Sequence, residues 1–210
     1  MVIYLHGFAS GVTSTKAEFI GRRLRADGID FRAPDLNLPD FSTLTVTRML
    51  QQTRTLIGEA SVPVTLIGSS LGGFVAVHAA AQWPDLVARL VLLAPALDFG
   101  SPRMARMADA SLDEWKASGT LNVFHFGYGR FVPIHYELYE DARRYDAMRA
   151  RVSAPTLVFQ GRYDAVVVPA TVERWAAERP NVDLRLMDDG HQLTASLPLL
   201  ADAIRGFVNS

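Results

Sequence analysis

The stretch Val64-Thr65-Leu66-Ile67-Gly68-Ser69-Ser70-Leu71-Gly72-Gly73-Phe74-Val75-Ala76-Val77 decides how this chain is read. Its apolar, partly β-branched opening predicts a short buried strand. The run from Gly73 to Ala81 predicts a helix. Between them lies G-x-S-x-G, centred on Ser70. The motif carries meaning where a strand turns sharply into a helix, because such a turn lifts a serine hydroxyl above the end of a sheet. The glycines have a steric task, since so tight a turn leaves no room for a Cβ two residues before or after the serine. Ser70 alone has glycine at both positions, and Ser69 is therefore assigned to the turn. An ordinary strand-to-helix loop uses the same residue types. A base, an orienting acid and an oxyanion site must then come from elsewhere in the chain.

Candidates for all three are present, in the order Ser, Asp, His expected of such a site. A serine hydroxyl is too weakly acidic to attack without a base. His191, in Asp188-Asp189-Gly190-His191-Gln192 after the last predicted strand, is the candidate base. Asp164, in Gln160-Gly161-Arg162-Tyr163-Asp164, is the candidate acid, holding the ring N–H that faces away from Ser70. Asp98 also follows a strand and competes for that role. Asp188 and Asp189 lie too close to His191 in sequence to orient it. His6-Gly7-Phe8 supplies the oxyanion site, with the N–H of Phe8 paired to that of Leu71. Gly7 allows close backbone approach there. His6 reads as the residue that orients this loop. His78, on the helix after Ser70, reads as a core residue. His78, His125 and His135 share no local spacing, so no metal site is expected. Lys16 reads as a solvated lysine, with anion binding at a helix N-terminus as the alternative.

Along the chain, strands and helices alternate. Strands are predicted at Val2–Leu5, Asp30–Ala33, Pro63–Ile67, Arg89–Ala94, Pro155–Gln160 and Val182–Met187. Helices are predicted from Thr15 to Asp27, with a Thr15–Glu18 capping box, and from Thr43 to Ala60. Two more span Pro169–Glu178 and Ser196–Val208. This alternation predicts an α/β architecture, a mainly parallel sheet of about six strands covered on both faces. Such sheets bind ligands at the carboxyl ends of their strands. His6, Ser70, Asp164 and His191 all fall just past such ends. Residues 98–151 break the pattern and are rich in aromatics, among them Trp115, Phe124, Phe126, Tyr128, Phe131 and Tyr139. They read as a cap inserted into a single 1–210 domain and lining an apolar pocket, or as a peripheral subdomain with its own small core.

Bulk properties agree with one soluble domain: 210 residues, 49% hydrophobic, 20% charged, net charge −1. Neither charge sign dominates, so neither nucleic acid nor an acidic membrane surface is an expected partner. The absence of cysteine excludes disulfides, a thiolate nucleophile and Cys-based metal sites. No signal peptide or spanning segment is read.

Together these residues resemble the α/β-hydrolase superfamily: His6-Gly7-Phe8, the turn around Ser70, Gly161-Arg162-Tyr163-Asp164 and Gly190-His191. More narrowly, Ile3-Tyr4-Leu5-His6-Gly7-Phe8, Ser14-Thr15-Lys16-Ala17, Pro34-Asp35-Leu36 and Gly68-Ser69-Ser70-Leu71-Gly72-Gly73 are similar to the small bacterial YqiA-type esterases. The resemblance implies a compact α/β-hydrolase fold and a cytoplasmic, cofactor-free serine hydrolase acting on small-molecule esters or thioesters. Acyl transfer and carbon–carbon bond hydrolysis use the same machinery, and a non-catalytic ligand-binding member would keep the fold alone. Larger members of the superfamily carry two strands before the one ending in His-Gly. Here the exposed sheet edge needs cover, from polar side chains or from a second copy in a homodimer.

Overall fold

The computed structural model describes residues 1–102 and 111–209, and the 103–110 part of the 98–151 segment lies outside them. The strands are β1 (Val2–Leu5), β2 (Phe31–Arg32), β3 (Val64–Ser69), β4 (Val87–Leu93), β5 (Thr120–His125), β6 (Arg130–His135), β7 (Thr156–Gly161) and β8 (Val182–Met187). The helices are α1 (Thr15–Ala26), α2 (Val46–Gly58), α3 (Leu71–Gln82), α4 (Leu112–Ser118), α5 (Glu137–Ala142), α6 (Pro169–Ala177) and α7 (Leu197–Asn209). Six strands form one parallel sheet in the order β2-β1-β3-β4-β7-β8, while β5 and β6 pair apart from it as an antiparallel hairpin.

Side-chain alternation sorts the core into two layers. Ile3 and Leu5 of β1, Val64 and Leu66 of β3, and Leu90 and Leu92 of β4 face α2, α3 and α6. Val2, Tyr4, Ile67, Val91, Leu93 and Phe159 face α1 and α7. A sheet buried on both sides in this way requires strands that are apolar at nearly every position, as β1, β3 and β4 are. Leu5 lies opposite Gly68, and Gly68 opposite Leu92, which brings the carboxyl ends of β1, β3 and β4 to one level.

Several boundaries differ from the sequence reading. The first helix is capped by Ser14, whose hydroxyl accepts the Ala17 N–H at 3.4 Å, so the Thr15–Glu18 box does not form. A short 3-10 helix, Phe41–Thr43, precedes α2, which begins only after its cap Thr45. The edge strand β2 is two residues long. Arg32 on it pairs with Asp30 at 3.2 Å and Glu59 at 2.5 Å, so charged side chains of the chain itself blunt this edge. Among the described residues no helix is long and apolar enough to cross a membrane.

Between β4 and β7 the described residues form α4, the β5–β6 hairpin and α5. Trp115 and Tyr139 are buried, and Trp115 donates its indole N–H to the Ile134 carbonyl at 3.1 Å. Phe124, Phe126 and Phe131 of the hairpin are exposed and meet edge to face. Asp141 of α5 fastens this segment to the sheet domain. Its buried carboxylate accepts from the Thr47 N–H at 2.8 Å and the Thr47 hydroxyl at 2.6 Å, at the first turn of α2, where negative charge is favoured. Replacing it leaves the Thr47 N–H unpaired, while the hydroxyl keeps only Tyr145, at 2.7 Å. Asp141→Ala is expected to lower the unfolding free energy by about 1–3 kcal/mol, read from the urea midpoint.

Candidate active site

The chain leaves β1 through α1 on one face of the sheet, reaches β2, and returns through α2 on the other face to β3. Strand order thus reverses between β1 and β3, the point at whose carboxyl ends such sheets bind ligands. His6-Gly7-Phe8 leaves β1 there and Ser70 leaves β3, so the two turns lie side by side.

Ser70 sits at φ 52°, ψ −115°, in a region a residue with a Cβ rarely adopts. Such backbone strain costs about 1–3 kcal/mol and persists where the surroundings over-determine it. Here they do. The Ser70 N–H donates to the Leu93 carbonyl at 2.9 Å, and its own carbonyl accepts from Gly73, Phe74 and Ala96 at 2.9, 3.2 and 3.1 Å. A Cβ on Gly68 would stand 2.6 Å from the Gly73 Cα, and one on Gly72 would stand 2.5 Å from the Leu5 carbonyl carbon. The turn therefore closes only with glycine at both places.

The Ser70 hydroxyl lies 3.1 Å from Nε2 of His191, and His191 Nδ1 lies 2.8 Å from Oδ2 of Asp164. The carboxylate against the imidazole is thus that of Asp164 and not that of Asp98. Asp164 is held from all sides. Oδ1 accepts the N–H groups of Val166 and Val167, each at 2.8 Å, and Oδ2 also accepts from the Gln160 side-chain amide at 3.0 Å. Burial on its own would raise its pKa. The hydrogen bond and charge of His191, with the Val167 N–H and Gln160, outweigh that and hold the carboxyl below the ordinary aspartate value.

Gly7 faces the nucleophile candidate closely, since a Cβ there would lie 3.3 Å from Ser70 Cβ and 4.0 Å from its Oγ. Leu71 opens α3, and the first N–H groups of a helix have no partner within it. His6 is buried. Its Nε2 accepts the Leu36 N–H at 3.0 Å while Nδ1 donates to the Gly7 carbonyl at 2.9 Å, which defines a neutral ring bracing the loop against Asp35-Leu36. Burial lowers its pKa, against the opposing pull of Gly7 and Asp35. His78 packs between Phe74 and Tyr145, and burial drives its pKa down to about 4. His125 stacks on Tyr128 and meets Phe41 edge-on. Among the described residues no group of three or more His, Asp or Glu could hold a metal ion.

Three contributors escaped the sequence reading. Gln160, wholly buried, shares an oxygen of Asp164 with His191. Asp189 does not touch the imidazole but pins its loop, accepting from Gly190 N–H at 2.8 Å and Ser196 N–H at 2.9 Å. Lys16 is not a solvated lysine: it is half-buried and donates to the backbone carbonyl and side-chain oxygen of Gln192 at 3.0 and 3.2 Å. Burial lowers its pKa to about 8, opposed by the charges of Asp164 and Asp189. A contact across 176 positions leaves no local pattern. The Asp189 loop did have a signal, since Asp before Gly is a common way of fixing a turn.

The model of UPF0227, an uncharacterised protein family, matches residues 1–197 of this chain. Over 50 residues the chain is 50% identical to Lipase LipV of Mycobacterium tuberculosis, a match covering 24% of this chain and only 19% of the lipase. Est1E of Butyrivibrio proteoclasticus, solved with ferulic acid bound, superposes with a TM-score of 0.85 at 21% identity, over 98% of this chain and 86% of its own. The α/β hydrolase domain-containing protein 10 from mouse superposes with a TM-score of 0.80 at 23% identity, over 99% of this chain and 89% of its own. The fold is that of the α/β hydrolases, a mainly parallel six-stranded sheet flanked by helices.

The state of Asp164 has a consequence for stability. A carboxyl whose pKa is lowered by folding stabilises the native state above its unfolded value, about 3.9, and ceases to do so as pH falls through the folded value. The difference in urea midpoint between wild type and Asp164→Asn is therefore expected to be largest near neutrality and to shrink below about pH 4.

Proposed function

The chain belongs to the uncharacterised protein family UPF0227, and from its site we propose that it is a serine hydrolase cleaving carboxylic esters or thioesters through an acyl-enzyme on Ser70. The observation that carries this reading is the unbroken relay from Ser70 Oγ to His191 Nε2 and from His191 Nδ1 to Asp164, at 3.1 and 2.8 Å.

In the proposed reaction Ser70 Oγ attacks the carbonyl carbon as His191 Nε2 takes its proton. The Nδ1–H stays on the ring, and the ionised Asp164 stabilises the imidazolium. The carbonyl oxygen becomes an oxyanion between the N–H groups of Phe8 and Leu71, each such donor being worth about 3 kcal/mol. Collapse expels the alcohol or thiol, which leaves with the proton from His191. Water then attacks the acyl-enzyme, with His191 again as base, and the free acid and Ser70 are restored.

The β5–β6 hairpin supports an apolar acyl or aromatic group on the substrate. The Phe126 N–H donates to the Ala9 carbonyl at 2.8 Å, one residue beyond Phe8. Exposed phenylalanines are thereby tied beside the oxyanion loop, where the described part of the 98–151 segment acts as a cap whose inner part, around Trp115, joins the core shared with α2 and α3.

A fluorophosphonate probe is expected to label the wild-type protein and not Ser70→Ala. His191→Ala is expected to lower hydrolysis of short-chain esters and thioesters by about 1,000-fold or more, with an unchanged thermal melt. An unlabelled wild-type protein would make this a ligand-binding member of the fold instead.

A further inference from the structure

The loop that carries His191 is strained and is held at its two ends. Leu193, two residues on, has φ 54° and a wholly buried side chain, and Asp189 fixes the other end. Between these anchors Gln192 faces solvent. Its carbonyl is gripped by the ammonium of Lys16, with a second bond to its side-chain oxygen. Lys16 occupies an unfavourable place for a cation, the second residue of α1, where the helix dipole opposes positive charge. The two hydrogen bonds and the carboxylates of Asp164 and Asp189, from the β7–α6 and β8–α7 loops, offset that cost. The start of α1 is also fastened to the turn of the nucleophile candidate. The phenol of Tyr4, buried beneath it, faces the hydroxyls of both Ser69 and the helix cap Ser14. One helix end is thus linked through Tyr4 to Ser69, the last residue of β3, and through Lys16 to the loop after His191.

We propose that Lys16 is a positioning residue, which through the main chain of Gln192 fixes the His191 imidazole over Ser70. The proposal rests on the hydrolase reading of Ser70, His191 and Asp164. Lys16 does not meet the reacting atoms. A displacement of the base by about 1 Å can cost about 100-fold in rate, so a tie of this kind has a measurable effect.

The test compares Lys16→Met, which keeps length but loses the donors and the charge, with Lys16→Arg, which keeps both. Fluorophosphonate labelling rate and kcat are expected to fall about 10- to 100-fold in the methionine variant, with KM and the thermal midpoint unchanged. Arginine is expected to recover a substantial part of the loss. Wild-type kcat should decline on the alkaline side as Lys16 loses its proton near pH 8, and the arginine variant should lack that decline. The proposal is overturned if the methionine variant labels and turns over like wild type, if its loss falls on KM alone, or if arginine is as slow as methionine. A wild-type protein that takes no label sinks the hydrolase reading itself, whereas equal labelling of wild type and Lys16→Met sinks only the role of Lys16.

Discussion

A serine held at positive φ between a buried strand and a buried helix is the constraint that the rest of this structure serves. Ser70 cannot adopt φ 52° at leisure, and the neighbouring elements must enforce it. They do so by crowding. Gly72 packs against the carbonyl of Leu5, so β1 and the start of α3 approach more closely than any side chain would allow. Ser70 also spends its own backbone groups on β4 and on the segment after it. Helix α3 begins so deep in the molecule that ten of its twelve residues are buried, and its sequence is apolar on every side. The serine is therefore rigid by construction, as a nucleophile beside a fixed base requires.

His191, the proposed base, has the opposite problem. Neighbouring strands lie about 4.8 Å apart, so the end of β8 is about 14 Å from the end of β3 across the sheet. His191 must reach back over β7 and β4 to meet Ser70, and only a loop can span that distance. Two stitches make the reach precise. The Tyr163 N–H donates to the Asp189 carbonyl at 3.1 Å, which joins the acid and base loops, and Asp189 ties the base loop to the start of α7. Lys16 completes the set from the face of the sheet where α1 lies.

The elbow, Asp164 and His191 could be read from the sequence because each is a reactive residue type placed just past an apolar strand, with glycine nearby. A parallel sheet brings such positions to one rim whatever the sequence distance between them. Local competition decided what was misread. Thr15 with Glu18 satisfies the capping-box pattern, yet Ser14 one residue earlier supplies the cap, its backbone extended and its hydroxyl on the Ala17 N–H. The start of α2 moved because Phe41 is pulled into the core, where its ring meets Phe8 and His125, and this winds Phe41–Thr43 into a 3-10 turn. Periodicity does not encode such pulls. The aromatic segment divided between a packed interior at Trp115 and an exposed hairpin face, a division that depends on which strand face meets the domain.

The surroundings of Asp164 also bear on how charge is handled in the proposed reaction. Both carboxylate oxygens are fully committed as acceptors, Oδ1 to two backbone N–H groups and Oδ2 to Gln160 and His191. A proton moved along the Nδ1···Oδ2 line would cancel the negative charge that the Val166, Val167 and Gln160 donors all stabilise. The Val166 and Val167 N–H groups would then point at a neutral carboxyl, a weaker acceptor. The Gln160 amide is set as a donor to Asp164 by its second bond, to the Gly161 carbonyl at 3.1 Å. Proton transfer from His191 to Asp164 is thus opposed by the loss of these charge-assisted bonds, the same bonds that lower the pKa of the acid. The proton taken from Ser70 stays on the imidazole until the leaving group collects it, and Asp164 acts as fixed negative charge throughout.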